Sequence, residues 1–100
     1  MRINTLYGTK EIVTDQGYQT ELRYYLVQEI LPGNWPEEEK ALYGISILSR
    51  EGERWEQEEL LGLSQSMMAV ETLLRRMMHG VVTPVTAASV VDDWVAERAG

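Results

Sequence analysis

The single histidine, His79, and the adjacent carboxylates Asp92 and Asp93 are the side chains with most scope for chemistry. The chain has no cysteine, which excludes disulfides, thiolate catalysis and cysteine-ligated zinc. A zinc centre on His79 would need at least two carboxylates around it, and a histidine stabilised at the C-terminal end of a helix is the simpler account. The serines and threonines have no nucleophile-elbow context, and any triad would have to use His79. Asp92 and Asp93 diverge by about 100° on a helix, so they do not share one proton or one metal as a catalytic dyad does. They fall in the last half of their helix, where the macrodipole disfavours negative charge, and a compensating cation is expected, Arg75 and Arg76 being nearest in topology. No Gly-rich phosphate loop occurs. No catalytic residue, metal or cofactor is therefore expected, and a pocket converging on His79 with Asp92 or Glu71 is what an enzyme would require.

Two helices must carry these residues. From Ser64, a candidate N-cap, Met67, Val70, Leu73, Leu74, Met77 and Met78 recur at intervals of three and four and define one apolar stripe. Gly80 stands where a left-handed cap would end that helix. Thr83-Pro84 then restarts helix, since proline at the first helical position has no donor to lose. Ala87, Ala88, Val90, Val91, Trp94 and Val95 form the second stripe. Met68 lies off the first stripe, roughly 100° from Met67, and is a candidate exposed contact residue.

Everything before the helices reads as sheet. Residues 3–14 alternate loosely with Gly8 interrupting, which suits one bent strand or two short ones. Gly17 supplies a turn. Residues 19–31 place Leu22, Tyr24, Leu26 and Ile30 on one face and Glu21, Arg23, Tyr25, Val27 and Glu29 on the other. Pro32-Gly33-Asn34-Trp35-Pro36 and the following Glu37-Glu38-Glu39 form a surface loop, in which Trp35 either folds back on the sheet edge or anchors a partner. Residues 40–49 form the clearest strand, with Ala41, Tyr43, Ile45 and Ile47 on one face and Leu42, Gly44, Ser46 and Leu48 on the other, and Gly44 marks a bulge or a close approach. Arg50 to Glu53 is a hairpin turn, and Arg54 to Leu61 a glutamate-rich edge strand.

The sum is a single α+β domain over residues 1–100. An antiparallel four- to five-stranded meander, about residues 3–61, is covered on one face by two C-terminal helices, about 65–79 and 84–98.

Charge limits the partners. The net charge is −7, and the excess lies before residue 63, where six basic groups face twelve acidic ones. This disfavours direct nucleic-acid binding; the second helix of an imagined helix-turn-helix would show Asp92, Asp93 and Glu97 to the phosphates. No segment nears the roughly 18 apolar residues of a membrane span, so a soluble, cytoplasmic protein is expected.

Tyr24-Tyr25-Leu26, Tyr43-Gly44-Ile45, Ser64 opening a helix, Thr83-Pro84 and Val90-Val91-Asp92-Asp93-Trp94 come in an order that resembles a family of small proteins from clostridia-like Gram-positive bacteria. The resemblance covers about residues 20–95 and implies a compact α+β domain in a bacterial cytoplasm. That family has no assigned activity, so no catalytic residue is carried over. The leading functional expectation is a non-enzymatic protein-interaction or regulatory module, with a protein partner or self-association and with Trp35, Met68, Asp92 and Asp93 as contact candidates. The alternative is an acidic inhibitor, encoded by a mobile element, that blocks a basic nucleic-acid-binding groove.

Overall fold

The computed structural model describes residues 1–36 and 40–99. The three glutamates 37–39 lie outside the described residues. The order of elements is β1 (Arg2–Val13), β2 (Gln19–Ile30), β3 (Ala41–Glu51), β4 (Arg54–Ser64), α1 (Met67–His79) and α2 (Pro84–Ala99). The strands form one antiparallel sheet in sequence order, β1-β2-β3-β4, so the expected meander has four strands. The Cα extents of 51 × 31 × 16 Å leave room in the thin direction for one sheet and one helical layer.

Residues 2–13 are one strand with an extra residue in it. Leu6 pairs with Tyr25 and Gly8 with Tyr24, so Tyr7 is a bulge. The bulge flips the parity of the strand and puts Ile3 and Ile12 on the same face, which is why the alternation in the sequence looked loose. It also aims Tyr7 at α1, where its hydroxyl accepts a hydrogen bond from Arg75 Nε at 3.2 Å. A second, larger bulge separates the pairs Ile45–Leu60 and Tyr43–Ser64. Gly44 is opposite this bulge, and a Cβ there would collide with Leu60 O and meet Leu61 Cα at 2.8 Å. The close approach expected at Gly44 is thus backbone of β4, which runs to Ser64 rather than stopping at Leu61.

The core lies between the sheet and the two helices. Leu22, Tyr24, Ile45 and Ile47 from the sheet pack with Val70, Leu73, Leu74 and Met77 of α1 and Ala87, Val91 and Trp94 of α2. Burying a side chain of this kind contributes roughly 1.5–3 kcal/mol, so this one cluster drives the association of lid and sheet. Pro84 opens α2 as expected and is buried.

Several details depart from the pattern in the sequence. Ser66, not Ser64, caps α1: its Oγ accepts from Ala69 N at 3.2 Å, while Ser64 Oγ accepts from Ser66 N at 3.0 Å. The chain leaves β4 three residues later than expected, and the helix cap shifts two residues with it. Gly80 is right-handed at φ −82°, and the left-handed residue is Val81 at φ 53°. Val82 N donates to Met77 O at 2.9 Å and Val81 N to Met78 O at 3.1 Å, a Schellman closure in which Val81 occupies the position glycine normally takes. Met67, Ala88 and Val95 were placed on the apolar stripes and are exposed, because the stripes that touch the sheet are narrower than the apolar arcs. Val27, assigned to the outer face of β2, is nonetheless completely buried.

Candidate functional site

Both helices cover the same face of the sheet, the one bearing Tyr24, Ile45 and Ile47. The register of the strands defines what lies on the other face. Leu6, Tyr25, Ser46 and Glu59 form one row across the four strands, Thr9, Arg23, Leu48 and Gln57 the next, and Glu11, Glu21, Arg50 and Trp55 a third. Within this grid Leu6, Tyr25, Leu48 and Trp55 run diagonally from one edge of the sheet to the other. Leu6 is 51% exposed and Trp55 49%, with Tyr25 and Leu48 half-buried. An apolar diagonal on an uncovered sheet face is the arrangement that buries area when a second surface docks on it.

Polar groups frame the diagonal. Glu21 is hydrogen-bonded to Arg23 beside it; this bond, with a smaller contribution from Tyr25, raises the pKa of the guanidinium. Arg50 stacks over the Trp55 ring, 5.1 Å from its centroid, and the indole remains 49% exposed. Gln57 Nε2 donates to Ser46 Oγ at 3.1 Å, satisfying a serine that is fully buried. At the end of the face away from the hairpin turns, Arg2 of β1 and Glu59 of β4 form an ion pair. These are the two edge strands, so their side chains meet over β2 and β3 and the sheet is coiled toward this side. The coiling accounts for the burial of Val27 and Ser46, which lie on the face opposite the helices.

The residues singled out in the sequence do not converge. Trp35, in the β2–β3 loop, is 50% exposed, and its Nε1 donates to Pro32 O at 2.8 Å, so the ring is held by its own loop rather than laid on the sheet. Met68, in the first turn of α1, is 74% exposed, as its angular position implied. Asp92 and Asp93 are exposed midway along α2, and among the described residues neither forms an ion pair. The compensation expected from Arg75 or Arg76 is not made there: Arg76 pairs with Glu97, one turn further on, at 3.4 Å, and Arg75 is bonded to Tyr7. The signal that would have found the diagonal was available in β2 and β3, but it becomes a face only once the register and both bulges are known.

A cavity of about 210 Å³ opens on the helical side at the hairpin end of the sheet, where Thr83 and Pro84 start α2. Thr14, Thr20, Ser49, Glu51 and Arg54 contribute to its wall, and His79 does not. Thr20 Oγ1 is buried with no hydrogen-bond partner. Among the described residues no group of three His, Asp or Glu side chains is placed to hold a metal ion, and no helix is long and apolar enough to cross a membrane.

The sequence model of a family described as being of unknown function, DUF6514, matches residues 3–97. No curated protein and no solved structure matches the chain.

Proposed function

The chain belongs to the DUF6514 family, whose function is unknown, and we propose that it is a non-enzymatic interaction or regulatory module of the bacterial cytoplasm that docks a protein on the uncovered face of its sheet. The observation that carries this reading is the diagonal Leu6, Tyr25, Leu48 and Trp55 on a face with no helix over it. Aromatic anchors flanked by paired charges are the composition of a protein-binding surface, where the rings supply energy and the polar rim supplies register. The partner surface that fits is an apolar ridge with both signs of charge beside it, since Arg23 and Arg50 alternate with Glu11 and Glu21 on this face.

The acidic-inhibitor reading has less support. It is motivated by the acidic excess before residue 63, yet within that excess Glu59 pairs with Arg2 and Glu56 with Arg54 at 2.9 Å, so part of the negative charge is neutralised within the sheet.

The test compares affinity capture by the wild-type chain, by Leu48→Asp with Trp55→Ala, and by a control variant on the helical side, Asp92→Asn. One protein retained by the wild type and the control but lost from the double variant supports the reading. Retention by all three, or by none, overturns it.

A further inference from the structure

The two edges of the sheet differ. β4 carries Glu56, Glu58 and Glu59 and a wide bulge before Ser64, features that discourage pairing with another strand. β1 has only Arg2, Lys10 and Glu11 as charges along its twelve residues, and it exposes Ile3, Leu6 and Val13. Its outward backbone groups follow from its pairing with β2. Met1 O accepts from Ile30 N, and Thr14 N donates to Tyr18 O, each at 2.8 Å. On the Met1 side of the bulge the odd residues therefore bond to β2, and on the Thr14 side the even ones do. Arg2, Asn4 and Leu6, then Thr9, Glu11 and Val13, present N–H and C=O groups to the open side.

We propose that β1 pairs antiparallel with β1 of a second copy, about a two-fold axis between Leu6 and Tyr7, joining two four-stranded sheets into one. The bulge selects this partner. A regular strand laid along β1 stays in register on only one side of Tyr7, whereas a second β1 has its own extra residue at the axis and stays in register on both. In this register Arg2, which also pairs with Glu59 of its own copy, faces Glu11 of the other copy, which also accepts from Gln19 of its own copy, and Asn4 faces Thr9, each position outward in its backbone and on the same face of the sheet. Two opposite-charge pairs and two polar pairs result, with no like charges opposed. This inference goes beyond the docking face and does not use Leu48 or Trp55.

Light scattering across a dilution series is expected to give twice the chain mass of 11.4 kDa at high concentration. Because the chain has no native cysteine, the register is read by crosslinking. Asn4→Cys mixed with Thr9→Cys should form a disulfide under mild oxidation, since hydrogen-bonded antiparallel partners have Cα atoms about 5.5 Å apart. Either variant alone should not, its like cysteines being roughly 16 Å apart along the strand. Glu11→Arg should raise the dissociation constant about tenfold, and Leu48→Asp should leave it unchanged. A wild-type chain that stays at 11.4 kDa at every concentration, or a dimer without the mixed crosslink, overturns the proposal.

Discussion

The hydroxyl of Tyr24, in the middle of β2, donates a hydrogen bond to the carbonyl of Val82, in the turn between α1 and α2, at 2.8 Å. It is the bond that fixes the helical hairpin at its bend to the centre of the sheet. Burial pushes the phenol from its ordinary 10.0 up to about 12. Tyr24→Phe leaves the Val82 carbonyl without this donor and should cost about 1 kcal/mol at neutral pH. The pH dependence carries a second signature. In the unfolded chain Tyr24 ionises near 10.0, while in the folded protein it holds its proton to about 12. The stability linked to this group is therefore complete below the first value and is lost as pH rises through the second. Chemical denaturation at a series of alkaline pH values should show the wild type declining more steeply than the phenylalanine variant over that window, and parallel declines would refute the assignment.

Gly44 faces the backbone of β4 rather than a side chain, so little can move aside for a Cβ. Gly44→Ala should destabilise by roughly 2–3 kcal/mol, the upper part of the range for overpacking. Urea unfolding of the purified variant measures this, and a loss below about 1 kcal/mol would mean that the bulge relaxes freely.

Val81 is a half-buried, β-branched residue held at φ 53°. The left-handed conformation costs such a residue roughly 1–2 kcal/mol, about what its partial burial returns. Val81→Gly is expected to change stability by less than about 1 kcal/mol, where the same truncation of a valine at an ordinary φ would cost more. Val81→Ala, which loses the contacts and keeps most of the strain, should be the less stable of the two. Thermal melts of both variants, with the opposite order, would show that the valine is not strained.

Thr20 has a buried hydroxyl without a partner at the edge of the cavity under α2. Thr20→Val removes the unsatisfied oxygen at similar volume and should stabilise by up to about 1 kcal/mol. A clear loss of stability on calorimetry would instead show that the oxygen is bonded in solution.

The sequence carried the architecture because side-chain alternation and helical periodicity are enforced by the same core they fill. Leu22 and Tyr24 of β2 and Val70, Leu73, Leu74 and Met77 of α1 were readable as core, Ile45 and Ile47 as one face of a strand, and all are buried. The outer face was less legible. A bulge at Tyr7 changes parity without leaving a distinctive residue, and a face shared by four strands is defined by register, which no single strand encodes. Capping failed for a related reason. Ser64 and Gly80 have the favoured residue types, but β4 holds the chain through Ser64 and the turn tolerates Val81 because its side chain packs on the core. Asp92 and Asp93 were expected to be paired, yet an exposed carboxylate midway along a helix is hydrated well enough to need no partner.

The lid is not held evenly. α1 lies against all four strands, whereas α2 rests mainly on β3 and β4, with Trp94 as its largest anchor. Amide hydrogen exchange should therefore release α2 in a smaller opening than the one that releases α1 and the central strands, whose protection should approach that of global unfolding. In that partly open state the part of β3 and β4 that lay under α2 faces water while all four strands stay clamped under α1, so the protein can expose a second surface without losing the first.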